Sequence, residues 1–113
     1  MALWNSDRFS AIQSTMNREQ VIATLRAHEQ ELRHRGVLHA ALFGSVARGE
    51  ARSSSDIDIL IEIEPDAPVD LFDYVGIIRY LRGLFPGRVD IANRDTLKPH
   101  VRPSAEREAV YAF

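Results

Sequence analysis

The sequence predicts an α/β (α+β) domain, a small sheet flanked by helices, on three observations. Residues 37 to 43, "VLHAALF", form a short apolar run of buried-strand character. Residues 56 to 64 alternate acidic and apolar side chains with a period of two, and segments 17–36 and 69–85 carry apolar residues at helical spacing. A chain of 113 residues has the size of one domain, and a 45% hydrophobic composition supplies one packed core. No internal repeat, low-complexity tract or linker divides it.

Residues 1–16 show no sustained period, so a poorly ordered N-terminal extension is expected there and the folded domain over 17–113. Asn17, with Gln20 three positions on, reads as a capping box opening a helix whose apolar positions are Val21, Leu25 and Leu32 and whose C-terminal glycine is Gly36. Arg33, His34 and Arg35 fall in its last turn, where cations offset the negative end of the helix dipole. The apolar run then leads to Gly44. In the alternating segment Ile57, Ile59, Ile61 and Ile63 face one way and Asp56, Asp58, Leu60, Glu62 and Glu64 the other, which predicts a strand packed on one side only. A second helix over 69–85, with Leu71, Val75, Ile78, Leu81 and Phe85 on its stripe, is expected to cover the apolar face and to end at Pro86-Gly87. "RVDIA", residues 88–92, reads as another strand with Asp90 opposite Val89 and Ile91. From Thr96 on, Pro99 and Pro103 break the tail into helical pieces, and "EAVYAF" suits a helix end or an edge strand.

Charge narrows the function. With 14 Lys plus Arg against 16 Asp plus Glu, the formal charge is −2, so no bulk basic field for nonspecific nucleic-acid binding exists. "MALWNSDRFSAIQ" lacks the apolar core of a signal peptide, and no stretch approaches the length of about twenty apolar residues that a membrane span needs, which leads to the expectation of a cytoplasmic protein with no membrane partner. The absence of cysteine excludes disulfides and thiolate metal sites.

Acids on a strand that must be packed call for an explanation. Carboxylates at i and i+2 project from one face with Cα atoms roughly 6.5–7 Å apart, and their repulsion is relieved by a cation. Mg²⁺ suits Asp56 and Asp58, because it is held by one or two carboxylates together with substrate phosphates. If the strand of Asp90 pairs beside theirs, a third carboxylate reaches the same face, and two ions about 3.5–4 Å apart can clamp the attacking and leaving oxygens of an in-line displacement. Phosphates also need donors: Gly44-Ser45, at a strand-to-helix turn, offers free backbone amides, close approach to the main chain and the Ser45 hydroxyl. Arg48 can meet a phosphate oxygen or pair with Glu50 or a nearby aspartate. None of these pieces is specific alone; their conjunction, with ten residues between Ser45 and Asp56 and an acid on a later strand, is hard to obtain from folding needs.

The stretch "GSVARGEARSSSDIDILIE" resembles the G-S-x10-D-x-D signature of the nucleotidyltransferase superfamily related to DNA polymerase beta, and the short length resembles its minimal nucleotidyltransferase (MNT) branch, from about residue 20 to the C-terminus. The resemblance implies a small mixed sheet flanked by helices, a nucleoside triphosphate held by the Gly44-Ser45 turn, metal on Asp56 and Asp58, and Asp90 as the third catalytic carboxylate. It further implies Mg²⁺, two ions, with ATP as substrate. The partner implied is a HEPN-domain RNase toxin, in a hetero-oligomer with this chain as antitoxin; some relatives transfer AMP from ATP to a tyrosine of that toxin. Pro103 departs from a tail that is usually more continuously helical.

Other chemistries fail on named residues. Glu50 stands where a P-loop needs its lysine, no G-x-S-x-G elbow is present, and His28, His34, His39 and His100 form no H-x-x-x-H pair for zinc. A response-regulator receiver would want its acidic pair where Phe43 and Gly44 stand. Two readings stay beside protein adenylylation: an antitoxin that neutralises by contact alone, for which Tyr74, Tyr80, Tyr111 and Phe113 are the candidate exposed apolar residues, and transfer to a small molecule such as an aminoglycoside.

Overall fold

The N-terminal capping box forms as its residues dictate. Asn17 Oδ1 accepts from the Gln20 amide at 2.8 Å, Gln20 Oε1 accepts from the Asn17 amide at 3.0 Å, and α1 runs over Arg18–Ala27. The computed structural model describes residues 16–50 and 56–113, so the expected N-terminal extension lies, apart from Met16, outside the described residues; Met16 itself packs against the core. The expected single helix is two. At His28 (φ −111°, ψ 16°) the chain leaves helical geometry, His28 Nδ1 lies 2.9 Å from the Thr24 carbonyl oxygen, and α2 continues over Glu29–His34. The break leaves Val21, Leu25 and Leu32 fully buried, which is why apolar spacing did not betray it.

Strand β1 (Val37–Phe43), a four-residue helix α3 (Gly44–Ala47), β2 (Ile57–Ile63), α4 (Leu71–Gly83) and β3 (Val89–Asn93) follow. A 3₁₀ turn at Arg94–Thr96, α5 (Arg102–Glu108) and β4 (Val110–Tyr111) complete the chain. The sheet is mixed, in the order β3-β2-β1-β4: β2 is parallel to β3 and antiparallel to β1, and β4 pairs antiparallel with β1. Pro103 falls in the first turn of α5, where a missing N–H costs nothing, and "EAVYAF" supplies the edge strand.

One face of the sheet, with Ala40, Leu42, Ile57, Ile59, Ile61 and Val89, meets Val21, Leu25 and Leu32 from α1 and α2 and Ile77 and Leu81 from α4. A register shift between Val37 and His39 keeps Val37 in that core although it is three positions from Ala40. Two expectations are corrected. The strand of the aspartates is not packed on one side only: Leu60, on the acidic face, is buried with its cross-strand partner Ala41, and Ala105 of α5 is buried outside the main core. The stripe of α4 also differs from the expected one. Leu81 and Phe85 are buried as expected and Ile77 joins them, with Tyr74 and Tyr80 packed beside them, whereas Leu71 is 72% and Val75 41% exposed.

Candidate active site

Strand β2 is central, and that places its first residues between two other site elements. In the parallel ladder Asp58 pairs with Asp90; in the antiparallel ladder Asp58 pairs with Phe43, the residue before Gly44. The Gly44-Ser45 turn, Asp58 and Asp90 therefore meet at one edge of the sheet across three adjacent strands. Asp90 is exposed at the rim, and Asp56 and Asp58 are half-buried. Asp56 precedes β2 and leans to the exposed Arg88, with Oδ1 3.6 Å from Nε, so it is less committed to the cluster than its neighbours. Among the described residues no three acidic or histidine side chains stand in ready-made metal geometry. Proximity is electrostatic instead: burial pushes the Asp58 carboxyl above its ordinary range, the charge of Asp90 and then that of Asp56 push it the same way, and Arg48 pulls it part of the way back.

Gly44 is required where it stands. Its φ is +76°, and a methyl group built on it would overlap Asp58 Oδ2 and come within 3.1 Å of Asp58 Cγ. The main chain thus passes directly against the Asp58 carboxyl group. The Arg48 amide closes α3 on the Gly44 carbonyl at 3.1 Å, and the amides of Gly44, Ser45 and Val46, in the first turn, have no acceptor within the helix. Two distant residues brace the turn: Arg18 Nη1 donates to the Ala47 carbonyl at 3.1 Å, and Glu108 of α5 accepts from Arg48 Nη1 at 3.1 Å. Arg48 also donates from Nε to Glu50 at 3.0 Å. Of the alternatives open for Arg48, ion pairing is the one seen, and these partners hold its guanidinium above its ordinary pKa. Neither Arg18 nor Glu108 was legible as a site residue, since nothing in sequence links positions 29 and 60 apart.

The four-stranded mixed sheet and the acids at the edge beside its glycine turn place the protein among the nucleotidyltransferases. The chain belongs to the nucleotidyltransferase domain family, whose model matches residues 25–112, and within it to the minimal branch. It is 39% identical over 94 residues to protein adenylyltransferase MntA of Thermococcus cleftensis, a match spanning 82% of this chain and 93% of that protein. A solved structure provisionally described as a minimal nucleotidyltransferase superposes with a TM-score of 0.63 at 36% identity, over 84% of this chain and 95% of the other. A toxin–antitoxin crystal structure with AMP-PNP shares the fold at a TM-score of 0.61 and 18% identity, over 78% of this chain and 72% of its own. Among the described residues no helix is long and apolar enough to cross a membrane.

Proposed function

We propose that this nucleotidyltransferase is the antitoxin of a toxin–antitoxin pair and transfers AMP from ATP to a tyrosine hydroxyl of a HEPN-domain toxin, with Mg²⁺. The observation that carries the reading is the pairing of Asp58 with Asp90 on adjacent strands, with Gly44 against the Asp58 carboxyl group. The relative named a protein adenylyltransferase and the fold shared with a toxin–antitoxin structure support the acceptor class.

The residues present suit a magnesium ion. Asp58, Asp90 and Asp56 offer hard oxygen donors whose mutual repulsion a cation relieves, and the missing side chain at Gly44 leaves Asp58 unobstructed. Asp56 and Asp58 would hold the metal with Asp90, and when bound Mg²⁺ supplies charge neutralisation at the reacting phosphate and at the pyrophosphate that leaves. The chain's own residues do the rest. Amides of the Gly44-Ser45 turn and the Ser45 hydroxyl orient the phosphates. The acceptor oxygen forms its bond to the α-phosphorus as the bond from that phosphorus to the pyrophosphate oxygen breaks. Asp90, the exposed carboxylate at the rim, takes the proton from the acceptor hydroxyl.

Purified chain, ATP, Mg²⁺ and the HEPN-domain toxin proposed as its partner should give a toxin heavier by one or more AMP groups in intact-mass spectrometry. A chain with Asp56, Asp58 and Asp90 all changed to alanine should leave the toxin unmodified. Full neutralisation of the toxin by that triple variant would instead favour inhibition by contact.

A further inference from the structure

The other end of the sheet has a character that the nucleotide site does not use. Leu71 and Phe72, 72% and 85% exposed, lie side by side in the first turn of α4, with Val75 one turn on. Two grooves of about 320 and 400 Å³ flank the connection into this helix, and both are lined by Ala67 and Val69. Of the four residues expected to be exposed, Tyr74, Tyr80 and Phe113 pack against the core, Tyr74 also lining one of these grooves, and Tyr111 is open.

The surroundings are acidic. Residues 64–73 hold four Asp and Glu and not one Lys, Arg or His, although the chain as a whole is nearly balanced. Glu64, Asp70 and Asp95 line one groove; the other holds Asp73 together with His34 and Arg35, the latter stacked over the Tyr80 ring at 4.6 Å. The acidic groove repels nucleic acid and anionic lipid. It also argues against a second copy of this chain, since a two-fold contact would set the same acids against themselves.

We propose that this end of the molecule docks a partner protein presenting an apolar strip rimmed by lysine and arginine, and that the partner is the acceptor of the AMP group; this rests on the function proposed above. From Asp58 to Glu64 along β2 is about 20 Å at the rise of an extended strand. A partner seated on Leu71 and Phe72 therefore has to span that distance to bring its acceptor hydroxyl to the nucleotide edge. The surface serves recruitment, and its loss affects the acceptor and not ATP.

The test uses the full chain and the toxin proposed above as its partner. Leu71→Ser with Phe72→Ser alters two exposed side chains and should preserve the fold, as the melting temperature will show. The double variant should weaken the complex tenfold or more in calorimetry and raise KM for the toxin, with the melting shift produced by Mg²⁺-ATP unchanged. Asp66, exposed in the connection between β2 and α4, adds to the charge there, and Asp66→Lys should weaken the complex severalfold and flatten its salt dependence. Parental affinity in the double variant would overturn the proposal while leaving the proposed function standing; no complex with the parent chain would remove both. Two further outcomes would overturn it: a parental dimer that the double variant dissociates, or removal of residues 1–15 newly exposing Leu71 and Phe72 to hydroxyl-radical footprinting.

Discussion

Asp58 and Asp90 are direct partners in the parallel β2–β3 ladder, so two carboxylates share one face of the sheet beside a glycine that cannot be replaced without striking the first of them. That arrangement is costly to a fold and useful to a phosphoryl-transfer site.

Its cost appears in pH dependence. Burial, then Asp90, then Asp56 raise the Asp58 pKa above its unfolded value. Below the unfolded pKa Asp58 is protonated in both states and contributes nothing; as pH rises from there through the folded pKa, the native state holds the proton more tightly and stability falls. Above that window Asp58→Asn should melt at or above the parental temperature without metal, and Mg²⁺-ATP should stabilise the parent alone. A clear loss of stability in the metal-free variant, with the nucleotide response intact, would identify Asp58 as a structural acid.

Two glycines make a matched pair. Gly44 and Gly49 have φ of +76° and +75°, yet a methyl group on Gly49 meets nothing within 4 Å. Alanine at either should cost about 1–2 kcal/mol through the left-handed backbone alone. Activity should separate them: Gly44→Ala displaces the Asp58 carboxyl group and should lower kcat by about 100-fold, the scale of losing one positioned transition-state contact, whereas Gly49→Ala should retain it. Equal activities would show that the close approach has no catalytic meaning.

Arg48 acts on the site from a distance. It lowers the Asp58 pKa while pairing with Glu50 and Glu108 on the surface. Removing that positive charge in Arg48→Met should shift the Asp58 titration to higher pH in carboxyl-carbon NMR of the metal-free protein. Glu108→Gln should change stability by no more than about 1 kcal/mol, as for exposed ion pairs. A downward shift in Arg48→Met would contradict the assignment of the charge network.

The α4 stripe gives a test of packing. Ile77→Ala and Leu81→Ala empty fully buried positions and should cost about 2–5 kcal/mol each in denaturant melts. Leu71→Ala, at an exposed position, should stay within about 0.5 kcal/mol. Similar losses at Leu71 and Ile77 would restore the stripe that spacing alone suggests.

Much of the site was legible because it is built from short-range signals. A strand end, a glycine turn, an i, i+2 acid pair and an acid on the next apolar run are all local, and sheet pairing only had to bring Asp90 beside Asp58. What escaped reading depends on tertiary placement. The break at His28 leaves the apolar period intact, and the burial of Leu60 depends on its pairing with Ala41 and on a second covered face. The exposure of Leu71 and Val75 depends on what packs around the first turn of α4, and the bracing of the Gly44 turn by Arg18 and Glu108 joins residues far apart in the chain. The repulsion expected at the aspartates is present, and burial is the largest single cause of the Asp58 shift.

The central claim is transfer of the α-phosphoryl group with its nucleoside, and a pair of isotopes tests it most directly. Parent chain, toxin and Mg²⁺ should be incubated with ATP labelled at the α-phosphate and, separately, at the γ-phosphate. Label from the α-position should appear on the toxin, label from the γ-position should leave as pyrophosphate, and Asp58→Asn combined with Asp90→Asn should abolish the first without dissociating the complex. Transfer of γ-label, or undiminished α-transfer by the double variant, would contradict the account.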